Sequence, residues 1–194
     1  MFPPSEASHS AVATEVPEYS AEERRVLLKL AHRSIETALA EQPIDTTAPS
    51  EHLAERRGAF TTLHLRGELR GCIGYVLAIG SLYQTVAETA RAAAFDDPRF
   101  TPVTGDEASC LKIEISVLSV PRPIRPEDVV IGKHGLIVSA GARRGLLLPQ
   151  VPLEWGWDRE TFLAQTCLKA GLSPEAWRRG AEIQGFTAEV FGEE

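Results

Sequence analysis

Residues 59–75 read AFTTLHLRGELRGCIGY. The first half alternates, with Leu63 and Leu65 on one side and Phe60, Thr62 and His64 on the other. Alternation of period two marks a half-buried strand, and a glycine between two such runs marks a hairpin. If the apolar faces stay together, Leu63 and Leu65 lie on the side of Leu69 and Ile73. That predicts a three-residue loop, Arg66-Gly67-Glu68, and an even register. Leu69, Ile73 and Tyr75 then point one way, while Thr62, His64, Arg70, Cys72 and Gly74 gather on the other face.

Working outward, LKIEISVLS at 111–119 is the clearest strand, with Leu111, Ile113, Ile115 and Val117 on a buried face. Ser20 and Glu23 form a capping box that opens a helix over about 21–41, and residues 43–58 read as a loop with room for a short helical piece. Ser81 caps a second helix. Its stripe of Leu82, Val86, Ala90 and Ala93, with the alanine run at 92–94, predicts close packing on a sheet up to Asp96. Pro121, Pro123 and Pro126 break the chain before two or three short strands over 128–151. Asp158 caps a helix that stops at Gly171, Ser173-Pro174 opens a shorter one around Trp177, and GFTAEVF is a last strand. The irregular order and short hairpins predict an α+β fold, a mostly antiparallel sheet flanked by helices, and not a doubly wound one.

With 194 residues the chain has room for one domain or two small lobes. Its first nineteen residues mix Pro, Ser, Ala and Glu without period, so 1–19 is expected to be a mobile tail and 20–194 the folded part. Twenty Lys and Arg against twenty-seven Asp and Glu give a net charge of -7, the wrong sign for gripping a nucleic-acid backbone. No window approaches the about 18 apolar residues of a membrane span, and no cationic leader precedes an apolar run. Three widely spaced cysteines, Cys72, Cys110 and Cys167, read as reduced thiols of a soluble cytoplasmic protein. There is no dinucleotide fingerprint, P-loop or nucleophile elbow, and the five histidines show no ligand spacing, so neither cofactor nor metal is expected.

Chemistry concentrates at Cys72. A guanidinium at Arg70, roughly 7 Å away along one strand face, favours a thiolate. Gly71 and Gly74 would bare the backbone beside the sulfur. Packing is the competing reading, since free cysteines are often buried and strand glycines often mark bulges. His134, in the turn Gly132 to Gly135, is a candidate acid or base, and His64 is a weaker one. Glu114, opposite the apolar face of its strand, can orient a histidine or hold a cation. Arg99, in a cluster with Asp96 and Asp97, can bind a carboxylate or pin its loop. Trp155, Trp157 and Trp177 are interface anchors or core residues.

Taken in order, ELRGCIGY, AAAFDDPRF with TPV, IEISVLS, IGKHGLIV, GLLLPQV, GWDRETFL and CLKAGL resemble the AMMECR domain family, AmmeMemoRadiSam system protein A in prokaryotes. The resemblance runs from about Ser20 to Phe191, and Leu69-Arg70-Gly71-Cys72-Ile73-Gly74 matches the family's signature hexapeptide. It implies an α+β fold of a larger and a smaller lobe with a cleft between them, in a single folding unit. It also implies a modification pathway shared with Memo-type and radical-SAM proteins, and it assigns no reaction. Two functions follow as expectations. One is an enzyme or enzyme subunit with Cys72 as nucleophile or carrier, Arg70 as its activator and His134 as acid or base across the cleft. The other is a non-catalytic binding module in which LRGCIG is structural.

Overall fold

The structure is a computed structural model that describes residues 17–193 apart from Ile79. Helix α1 (Ala21–Leu39) starts at Ser20, whose hydroxyl accepts from the Glu23 N–H while the Glu23 carboxylate accepts from the Ser20 N–H. The chain continues through a one-turn helix α2 (Glu51–Ala54), strands β1 (Ala59–Leu65) and β2 (Glu68–Tyr75), and helix α3 (Leu82–Phe95). Another one-turn helix, α4 (Gly105–Ala108), leads into β3 (Leu111–Leu118) and β4 (Arg122–Pro123). Then come β5 (Gly135–Ala140), β6 (Arg143–Leu147), α5 (Val151–Glu154), α6 (Arg159–Lys169), β7 (Glu182–Phe186) and β8 (Ala188–Gly192).

The fold is α+β, with two four-stranded sheets ordered β2-β1-β3-β8 and β4-β7-β5-β6, every pairing antiparallel. One face of the first sheet takes α1 and α3. Leu27, Leu30, Leu82, Val86 and Ala93 close over Leu63, Ile113 and Ile115, all at most 2% exposed. The second sheet builds its own core against α6 from Leu136, Val138, Phe162, Leu163 and Cys167. A third cluster of Leu118, Ile137 and Phe186 gathers residues of both sheets, with Phe60 and Leu148 packed against it.

Several boundaries differ from expectation. Most of the expected tail lies outside the described residues, but Tyr19 is 1% exposed and its ring stacks on His52 at 4.8 Å. Glu18 and Tyr19 also donate backbone N–H groups to Glu189 at 2.7 and 3.2 Å, so both residues belong to the packed part of the chain. A single anchoring aromatic has no period to announce it. The final strand is in fact two: the chain leaves the second sheet at Phe186 and joins the first at Ala188, with only Thr187 between them.

The hairpin itself is tighter than expected. Its loop is two residues, Arg66 and Gly67, both at positive φ (54° and 85°), the arrangement whose twist matches that of the flanking strands. The even register is restored farther up by a bulge, where Leu63 faces Gly71 and His64 faces Leu69, leaving Arg70 as the extra residue. Leu69 thereby leaves the side of Ile73 and stands 42% exposed. Ile73 keeps its expected place against the core.

Gly71 and Gly74 are packing positions. A Cβ on Gly71 would collide with the carbonyl oxygen of Ala93, so α3 reaches the strand backbone to backbone there; a Cβ on Gly74 would enter the Phe60 ring. Of the two readings the sequence offered, packing holds at both positions, and bare backbone open to a ligand does not. Gly71→Ala is expected to destabilise the protein by about 1–3 kcal/mol, the usual cost of overpacking a filled core. The check is the urea midpoint at unchanged m-value, with Gly105→Ala, whose Cβ would meet only open space, as the control that stays near wild type. A Gly71→Ala midpoint equal to that of the control would show that α3 can retreat.

Candidate active site

The face of the first sheet away from α1 and α3 carries the polar alternates of its strands. Thr62 pairs with Cys72 on one side and with Glu114 on the other, so thiol, hydroxyl and carboxylate form one row across three strands. The next row is Gly74, Phe60, Ser116 and Val190. Over these rows lies a cavity of about 420 Å³. Its floor includes Thr62, Cys72 and Glu114, and its far wall includes Lys133, Leu148 and Leu153 from the region of the second sheet.

Cys72 is fixed from three directions. Its N–H donates to Asp97 Oδ2 at 2.9 Å, and its carbonyl accepts from Arg99 Nη2 at 3.3 Å. Both backbone groups therefore point out of the sheet edge, making Cys72 and Thr62 a non-hydrogen-bonded pair, the kind with the closer side chains. The Thr62 hydroxyl accordingly donates to Cys72 Sγ at 3.3 Å. Asp97, its side chain 2% exposed, takes Arg99 bidentately, Nε to Oδ1 at 3.0 Å and Nη2 to Oδ2 at 2.8 Å. The Arg99 guanidinium, with the Cys72 and Arg99 backbone N–H groups, holds the Asp97 carboxyl far below its ordinary range.

The structure brings together only part of the expected site. Glu114 joins Cys72 on the cavity floor. Arg70 does not turn to the sulfur: the bulge sends its guanidinium to Glu107, Nε to Oε1 at 3.1 Å and Nη2 to Oε2 at 3.0 Å, with Pro102 O at 3.4 Å. Its hydrogen bonds, helped by those from the Thr104 N–H and hydroxyl, lower the Glu107 carboxyl from 4.5 to about 2. Arg99 pins its loop to the Cys72 backbone. His134 is not across the cavity from Cys72, because its Nδ1 accepts from the Val130 N–H at 3.0 Å and closes its own turn. It lines a separate cavity with Arg57 and Arg122. His64 pairs with Leu69 and Lys112 and does not line the Cys72 cavity.

Two contributions were missed by sequence reasoning. Lys133, beside His134, lines the cavity together with Gly132; adjacency was the only signal, and it could not say which neighbour faces in. Asp97 was legible as a loop charge, but its hold on Cys72 spans 25 residues of sequence. Of the other thiols, Cys110 is exposed, while Cys167 is buried in the second core and burial pushes it up. Trp155 and Trp157 stack with centroids 6.1 Å apart, and Trp155 is 70% exposed. Among the described residues Glu18, His52 and Glu55 each offer a ligand atom within 4.8 Å of the others. Both carboxylates are already taken by Arg57, at 2.6 and 2.8 Å.

Family comparison bears on this site directly, because the AMMECR1 family model matches residues 28–191, spanning the row and its clamp. The chain belongs to the AMMECR1 family. An AMMECR1 relative from Thermococcus onnurineus is 45% identical over 184 residues, covering 87% of this chain and 89% of its own. One from Methanosarcina acetivorans is 44% identical, covering 88% and 92%. The crystal structure of an uncharacterised protein from Pyrococcus horikoshii, 43% identical, superposes with a TM-score of 0.72 over 87% of this chain and 90% of that one. No described helix of this AMMECR1 chain is long and apolar enough to cross a membrane.

Asp97 and Glu107 make the clamp sensitive to acid. Both are lowered in the folded chain, so their contribution is fully present above the free values of 3.8 and 4.5 and is lost as pH falls, through about 2 for Glu107. Thermal melts from pH 7 to pH 2 should fall away below about pH 4.5 in the wild type. Asp97→Asn should melt lower at pH 7 and lose part of that slope, and Glu107→Gln should flatten it too. Parallel profiles in all three proteins would remove these carboxyls from the acid response.

Proposed function

We propose that this AMMECR1 protein is an enzyme, or the substrate-binding subunit of one, with its site in the cavity over Cys72. The observation that carries this reading is the row of Cys72, Thr62 and Glu114 on the floor of a cavity sized for a small organic molecule or one side chain. Cys72 is the nucleophile or covalent carrier, Thr62 orients its sulfur, and Glu114, on the far side of Thr62, is the group that accepts or positions a proton on the substrate. Asp97 and Arg99 hold the backbone of Cys72; Arg70, expected as the activator, is engaged by Glu107 instead, and Lys133 stands where His134 was expected. In this reading the two sheets are the cores of a larger and a smaller lobe, and the cavity is the cleft between them. The setting is the reducing cytoplasm, in a modification pathway alongside Memo-type and radical-SAM proteins, with neither nucleic acid nor membrane as partner.

A second reading, a non-catalytic ligand- or protein-binding module, is favoured by one observation. The signature glycines serve α3 and Phe60, so LRGCIG has a structural reason of its own. Alkylation with iodoacetamide over a pH series, followed by peptide mass spectrometry, separates the two. The enzyme reading expects Cys72 to react faster near neutral pH than exposed Cys110, with Cys167 slowest. A Cys72 no faster than the other two thiols, together with full rescue of a deletion strain by folded Cys72→Ser, would establish the binding module.

A further inference from the structure

The cavity over Cys72 also carries information about what enters it, and this step rests on the preceding reading of that cavity as the site. Among the described residues that line it, two are charged, Glu114 on the floor and Lys133 on the far wall. Lys133 already has an interaction of its own, as does Lys112, two residues from Glu114 along the same strand face. Glu114 has none: among the described residues neither a cation nor a hydrogen-bond donor reaches its half-buried carboxylate. Phe60, Leu118, Leu148, Leu153 and Val190 supply apolar wall, with Thr62, Ser116 and Gln150 as uncharged polar members of the lining.

A carboxylate half in water is cheap while the cavity is wet. An occupant that expels the water desolvates it, and the cost is met only if the occupant brings a positive charge or a donor to the same place. An anionic occupant, or a neutral one without a donor, leaves the charge stranded beside apolar side chains, and a cation compensates it most fully. We infer that the cavity binds a small organic cation, a primary amine with a short apolar body, whose ammonium head sits on Glu114 and whose body lies against Phe60 and Leu148. Thr62 lies between Glu114 and Cys72 in the strand register, so an ammonium on the carboxylate leaves the apolar body free to run across Thr62 toward the Cys72 sulfur.

The test uses paired methanethiosulfonate reagents, one with a trimethylammonium head and one with a sulfonate head. Each forms a disulfide with a thiolate and expels methanesulfinate. Peptide mass spectrometry gives the rate at Cys72 relative to exposed Cys110 in the same molecule. The cationic reagent should be favoured at Cys72 by at least about tenfold, the lower range for charge focusing in a low-dielectric cleft. Glu114→Gln should bring the preference to within about twofold of parity. In the wild type, which needs no folded variant, hexylammonium should slow iodoacetamide at Cys72 while hexanoate does not. A preference at or below parity, one that survives Glu114→Gln, or equal protection by the two hexyl compounds overturns the inference and leaves the site reading standing. Silence of Cys72 toward both reagents and iodoacetamide overturns the site reading as well.

Discussion

Strand β2 is held on two sides at once, and the candidate site depends on how. Inside, the missing side chain of Gly71 lets the Ala93 carbonyl of α3 come down to the strand backbone. Outside, the carboxylate of Asp97, just past the end of the same helix, accepts from the N–H of Cys72. One helix and the loop that follows it thus set the depth and the lateral position of adjacent residues. The Arg99 guanidinium closes the arrangement by neutralising Asp97 and donating to the Cys72 carbonyl. A buried carboxylate left without those partners would cost several kcal/mol, so the clamp exists only as a unit.

The fold was legible where one period dominates. LKIEISVLS could only be a strand with Leu111, Ile113, Ile115 and Val117 inside, and the stripe of α3 could only be a helix against it. Ser20, Ser81 and Asp158 cap helices because a short side-chain oxygen reaches an orphan N–H locally. Legibility ended where two local rules compete. At the hairpin, positive φ at Arg66 and Gly67 favours a two-residue loop, the apolar pattern favours an even register, and a bulge at Arg70 satisfies both. That one extra residue moved Leu69 to the surface and sent Arg70 to Glu107, so the activator named from simple alternation is elsewhere. Cys72 and Glu114 were found because alternation survives beyond the bulge. Lys133 and the reach of Asp97 were not, because which face of a turn looks inward and which strand a loop returns to are tertiary facts.

The single residue between β7 and β8 has a similar importance for the cavity. Phe186 packs with Leu118 and Ile137, and two residues later Ala188 already lines the cavity floor beside Leu118. The far wall with Lys133 and Leu153 is therefore tied to the floor through a covalent step too short to act as a free linker, and by a shared apolar cluster. Register in one sheet and wall position in the other are consequently set together.

The grip of Asp97 and Arg99 on Cys72 also bears on how the protein behaves in a crowded solution. Strand β2 is an edge of its sheet, and an edge strand offers outward N–H and C=O groups on which a second chain can template another strand. At Cys72 both of those groups are occupied by side chains of the same molecule, and the ion pair puts charge where an incoming strand would lie. The device that seats the thiol thus also interrupts the edge at its middle and guards the sheet against strand-by-strand aggregation.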